Sequence, residues 1–241
     1  VQCHHSLASI TSSSKQNRNP ERKRAINQEL LFGCSPSKPT DKERLVKKIN
    51  VCLGYLAEEN SPEVVKLCSE QFNKHGNMTD VVGALGVLTN IDCPEREYAF
   101  NEFEKKWNHN TVVMDKWFTL QAISNLPGTL QKVRELIGHN AYDEKNPNKI
   151  RALISSFSRF NQLCFHSADG SGYEFLTEQV LKLDPLNPQT AARLVSVFNN
   201  WKKFEENNKI KMKDRLNQIV KTPKLSGDVF EIVSKALGKN A

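Results

Sequence analysis

A chain of 241 residues with 38% hydrophobic residues can fill a core, and no run of about 18 apolar residues is present to cross a bilayer as a helix. The net charge of +7 divides unevenly: residues 1–50 hold ten Lys or Arg against four acids, 51–200 fourteen against eighteen, and 201–241 ten against five. The body is therefore slightly acidic. Its basic ends lack aromatic interleaving, Gly-rich loops and zinc-finger spacing, which argues against a nucleic-acid binder.

Residues 1–40 are rich in Ser, Asn, Lys and Pro and read as a poorly ordered basic arm or linker, with one short helix expected around Glu21–Leu31. The apolar stretch Leu7–Ile10 is too short for a signal-peptide core, and Val1 in place of Met reads as a processed end or a fragment boundary. The six cysteines, Cys3, Cys34, Cys52, Cys68, Cys93 and Cys164, form no C-x-x-C pair, which fits a reducing, cytoplasmic setting. Cys52 and Cys68 sit in apolar helical runs and read as buried, inert thiols.

From Asp41 onward apolar residues recur at steps of three and four, so residues 41–241 are expected to form a helical domain. Proline at the first helical position marks four starts, Ser61-Pro62, Cys93-Pro94, Asn146-Pro147 and Asn187-Pro188. In three of them the preceding Ser or Asn can cap free backbone donors, as Ser226 can before the last helix. These signals place helices near 42–58, 62–75, 78–90, 94–108, 112–124, 128–138, 147–160, 171–184, 188–201, 203–220 and 227–237. Short connections between so many helices, with no strand pattern, favour an all-α fold, an irregular α-solenoid or superhelix of antiparallel helix pairs. Tyr98, Phe100, Phe103, Trp107, Trp117, Phe118, Phe157 and Phe160 are spaced as core residues.

The stretch Ser167-Ala168-Asp169-Gly170-Ser171-Gly172 permits a tight turn before a helix. It reads either as an anion-holding helix start or as an ordinary turn capped by Asp169 or Ser171. His166 beside it reads either as an acid/base partner of Asp169 or as a hydrogen-bonded turn histidine. The six histidines, at 4, 5, 75, 109, 139 and 166, never give the H-E-x-x-H pattern that puts two imidazoles on one zinc. No G-x-S-x-G elbow, P-loop or dinucleotide-binding glycine pattern is present either.

Six ordered motifs carry a family resemblance. They are Asn77-Met78-Thr79-Asp80, Val113-Met114-Asp115-Lys116-Trp117-Phe118, Asn146-Pro147-Asn148-Lys149-Ile150-Arg151, and Phe165-His166 with Asp169-Gly170-Ser171-Gly172-Tyr173. Asn187-Pro188-Gln189 with Ala192-Arg193-Leu194, and Leu225-Ser226-Gly227-Asp228, complete the set. Over residues 43–238 the chain resembles the C-terminal helical domain of the bacterial-type zinc aminopeptidase N family, the alanyl aminopeptidases. The resemblance implies a superhelix that covers the chamber of a preceding thermolysin-like domain and gates its substrate. That domain would carry the zinc and the catalytic residues, so no catalytic or metal residue and no cofactor is expected in this chain. The implied partners are that catalytic domain and a peptide, with no nucleic acid or membrane. By position, Arg151, Gln189 and Arg193 match family residues that face the chamber. The alternative is a stand-alone helical-repeat scaffold that binds a peptide or protein in its groove.

Overall fold

A computed structural model describes residues 50–56, 61–74 and 76–238. The arm at 1–40, the helix expected around Glu21–Leu31 and most of the first domain helix lie outside these residues, although 50–56 is helical. Among the described residues there is no strand, and no helix is long and apolar enough to cross a membrane.

The helices follow the proline and cap signals closely. They are α1 (Pro62–Asn73), α2 (Met78–Leu88), α3 (Pro94–Trp107), α4 (Thr111–Ala122) and α5 (Thr129–Ile137). Helix α6 runs without a break through Pro147–Ile150, a wide π turn at Arg151–Ser155, and Ser156–Phe160. After it come the single turn α7 (Gln162–Phe165), α8 (Ser171–Leu183) and α9 (Pro188–Val195), which tightens into a 3-10 stretch at Ser196–Lys203. Helices α10 (Glu206–Val220) and α11 (Gly227–Leu237) complete the chain.

Asn146, Asn187 and Ser226 cap their helices by accepting backbone N–H bonds, as do Asn77 and Asn110 at starts that carry no proline. Ser61 departs from expectation. Its side chain makes no cap bond, and its carbonyl accepts from Val64 and Val65 instead.

Packing runs mostly between neighbours in sequence, α1 on α2, α3 on α4, α4 on α6 and α8 on α9, with α9, α10 and α11 closing the C-terminal end. This is the stacked arrangement expected of a helical solenoid. Buried Asn161 joins two layers: its amide donates to Ala122 O at 3.0 Å and Ser124 O at 2.7 Å, satisfying carbonyls that the end of α4 leaves open. An aromatic seam follows, with Phe157 edge-on to Phe165 and Phe175, Phe165 to Tyr173, and Tyr173 to Phe198. It binds α6, α7, α8 and the 3-10 stretch through rings that are all fully buried.

Two core assignments are corrected. Tyr98 is 55% exposed, because Ala99, Phe100 and Phe103 form the buried face of α3 and Tyr98 lies off it. Cys52 is exposed for the same reason, since Leu53 takes the inward position, whereas Cys68 is buried and its thiol is pushed up to about 11 by burial. Both thiols are free, as are those of Cys93 and Cys164.

The turn before α8 needs two glycines for different reasons. Gly170 sits at φ +79°, in the left-handed region. Gly172 lies against backbone: a Cβ there would fall 2.3 Å from Phe165 O. Gly172→Ala must push α7 away from α8 at the aromatic seam, and we expect a loss of about 1–3 kcal/mol or more in urea denaturation. An unchanged midpoint would show that the two helices are free to slide apart.

Candidate functional site

The N-terminal half of α6 lies across α4, pinned by a lysine that is almost wholly buried. Lys149 Nζ donates to Asp115 Oδ1 and to Thr111 O, both at 2.8 Å, and stands 5.6 Å from the centre of the Phe118 ring. Only 4% of its side chain is exposed, against 24% for Asp115. Beyond this bond α6 widens into the π turn, and side-chain hydroxyls donate to its carbonyls. Thr119 Oγ1 from α4 reaches Ala152 O at 3.1 Å, and Ser156 Oγ reaches Arg151 O at 3.1 Å.

Between α4, α6 and α9 opens a groove of about 640 Å³. Val112, Ile150, Ala152 and Phe160 supply apolar wall, and Lys116, Arg151, Arg159 and Arg193 supply four cations. Asp115 is the one acid on the lining, and Lys149 meets its charge. The cations are held differently. Arg159 Nη2 donates to Arg193 O at 2.8 Å and to Ser196 Oγ at 2.9 Å, tying α6 to the end of α9. Arg151 Nη2 donates to Asn148 Oδ1 at 3.1 Å. The side chains of Arg193 and Lys116 have no hydrogen bond or ion pair among the described residues. Arg151 and Arg193 are exposed and Lys116 is half-buried. Chemically, this arrangement is a cation-rich, partly apolar trough suited to an extended chain bearing carbonyls or a carboxylate.

Of the residues singled out in the sequence, Arg151 and Arg193 share this groove. Gln189 is exposed but does not line it; Thr190, three residues before Arg193 on α9, takes that place. Sequence reasoning missed Arg159, which no motif contained, and Lys116, which lay unremarked inside one.

The turn at 167–172 is held together by Asp169. Asp169 Oδ1 accepts from Ser171 N at 3.0 Å, from Ser171 Oγ at 2.8 Å and from Ser167 Oγ, and these donors pull its carboxyl down to about 2. His166 is not paired with Asp169. Its Nδ1 shares a 2.8 Å hydrogen bond with the Tyr173 hydroxyl, its ring lies 4.5 Å from that of Phe204, and burial lowers its pKa to about 4.

The remaining described histidine in a polar contact, His139, accepts from Ala141 N through Nδ1. Nε2 therefore carries the proton and donates to Glu104 Oε1 at 2.9 Å. Zinc does not fit these residues: among the described residues no three His, Cys, Asp or Glu side chains are placed to share a metal ion.

A family model described as "Domain of unknown function (DUF3458_C) ARM repeats" matches residues 15–238. The chain belongs to this family. The match begins within the first forty residues. Over 188 residues, 78% of this chain, the sequence is 40% identical to aminopeptidase N of Escherichia coli (strain K12) and 38% identical to aminopeptidase N of Haemophilus influenzae. The chain spans about a fifth of the length of these relatives, 22% and 21%. A crystal structure of Legionella pneumophila aminopeptidase A in complex with aspartic acid superposes with a TM-score of 0.77 at 29% identity. That superposition covers 90% of this chain and 27% of the other. This chain is thus homologous to the C-terminal helical domain of aminopeptidase N, and its all-α, solenoid-like fold is that of the ARM-repeat family.

Two predictions follow from the geometry. The ion pair should be asymmetric: Asp115→Asn strands a buried ammonium and is expected to cost about 3–5 kcal/mol, whereas Lys149→Met leaves a carboxylate that water can reach and costs about 1–2 kcal/mol. Chemical denaturation of both variants distinguishes this order from its reverse. His166 should make stability depend on pH. Its folded pKa lies below the ordinary 6.5, so the unfolded chain binds the proton first, and stability present above pH 6.5 is lost as pH falls toward 4. Between pH 7 and pH 5 the loss should be about 2 kcal/mol in urea titrations. His166→Gln should flatten that dependence, and an equally steep profile in the variant would exclude His166 as its source.

Proposed function

We propose that this chain is the non-catalytic helical part of a zinc metallo-aminopeptidase that removes N-terminal amino acids from peptides. It covers the active-site chamber of a thermolysin-like catalytic domain and holds the peptide beyond the cleaved bond. The observation that carries this reading is the groove, where Arg151 and Arg193, on different helices, line one open volume with apolar wall between them. The homology to aminopeptidase N supports the choice of partner. In this reading the zinc and its ligands belong to that partner domain, and the absence of an H-E-x-x-H motif from this sequence is consistent with that division.

Within such an enzyme the groove contributes selectively. A guanidinium that meets only residues distant from the scissile bond adds binding energy for long peptides and none for a short anilide, so its effect falls on kcat/KM for the long substrate. The chain alone is expected not to hydrolyse aminoacyl anilides, with or without added zinc. In an intact aminopeptidase that carries this domain, Arg193→Ala should lower kcat/KM about tenfold for a tetrapeptide, while an alanyl anilide changes less than about twofold. Because the Arg193 side chain is exposed, the variant should keep the parent's melting temperature. Equal losses with both substrates, or zinc-dependent turnover by the isolated chain, would overturn the proposal.

A further inference from the structure

The side chain of Arg193 has no hydrogen bond or ion pair among the described residues, so the reach of its guanidinium is set by where its main chain stands. That main chain is held from across the groove. Arg159 Nη2, on α6, donates to Arg193 O at 2.8 Å and to Ser196 Oγ at 2.9 Å, while Ser196 Oγ donates to the same carbonyl at 2.7 Å. Arg193 O lies in the last turn of α9, among the carbonyls that a helix end leaves open, and the negative end of the helix dipole favours a guanidinium there. Helix α9 packs mainly on α8 and α11. Among the described residues the two bonds of Arg159 are the only hydrogen bonds that join α9 and its 3-10 continuation to α6. The α6 end of this bridge is itself fixed, since Asn161, two residues on, holds the open carbonyls of α4.

We infer that Arg159 and Ser196 are positioning residues: together they clamp the end of α9 to α6 and so place Arg193 for a peptide in the groove. This rests on the groove being a peptide site, and it adds how the fold aims the guanidinium. Arginine suits the task because one of its nitrogens carries two N–H donors, enough for both acceptors, while its charge stays at the helix end. Ser196 is not on the groove lining, so its hydroxyl acts on a bound peptide only through the main chain of α9. Without the clamp α9 is free to shift against α6, and a displacement on the order of 1 Å degrades a contact that depends on forked geometry.

The test uses an intact aminopeptidase that carries this domain, with Arg159→Met and Ser196→Ala made singly, each beside Arg193 and in an Arg193→Ala background. The readout is the ratio of kcat/KM for a tetrapeptide to that for an alanyl anilide. This ratio does not depend on how much of the enzyme is folded, so a loss of stability alone leaves it unmoved. With Arg193 present it should fall about threefold for Arg159→Met and about twofold for Ser196→Ala, and in the Arg193→Ala background neither should lower it further. An equal fall in both backgrounds would show Arg159 acting on the peptide directly, and a fall for Arg159→Met that Ser196→Ala does not share would assign it to lost charge; either overturns the clamp. If neither variant moves the ratio while Arg193→Ala lowers it about tenfold, the clamp is wrong and the peptide groove stands. If Arg193→Ala itself leaves the ratio unchanged, the proposed function falls and the clamp with it.

Discussion

Burying an ammonium is costly, and this fold does so with Lys149, a choice that fixes much else. The ammonium needs Asp115 and Thr111 O, both on α4, so the first turn of α6 has one place to lie. Once α6 is seated, Asn161 at its far end meets the open carbonyls of α4, and Phe157 enters the aromatic seam that holds α7, α8 and the 3-10 stretch. The groove is the gap that remains above this contact, where α9 faces α4 and α6, two helices joined by a hydrogen-bonded charge. Interactions of this kind add little net stability compared with an apolar isostere.

The electrostatic character of the groove is local. The body of the chain is slightly acidic, yet four cations gather where α4, α6 and α9 meet, against a single carboxylate already in use. Three sequence-distant segments contribute, so charge counts along the chain cannot show it. Over longer distances the surrounding acids and dissolved salt screen such a cluster, which favours short-range contact over long-range steering.

Much of the fold was legible because its punctuation is local. Prolines at 62, 94, 147 and 188 and the asparagines before two of them act within a single turn, and the helices begin where those residues stand. Facing was harder to read: Tyr98 and Cys52 sit in apolar runs, but one position of rotation puts each outside the core. Arg151 and Arg193, named from the resemblance, do line one groove, while the exposed Gln189 is not on its lining and Thr190 is. Lys116 and Arg159 were not singled out because their place on the groove depends on how α4, α6 and α9 pack, which no local motif encodes. His166 offered two readings in sequence, and the Tyr173 hydroxyl, in the first turn of α8, decided between them.

The π turn at Arg151–Ser155 also acts as a correction of phase. Eight residues separate Arg151 from Arg159, and two ordinary turns use only about 7.2 of them, so in a regular helix Arg159 would overshoot the groove by most of one position. The extra residue absorbed in the wide turn takes up that overshoot and returns both guanidiniums to one side of the helix. Lys149 fixes one end of α6 and Asn161 the other, so the wide turn lies between two held points, at the groove.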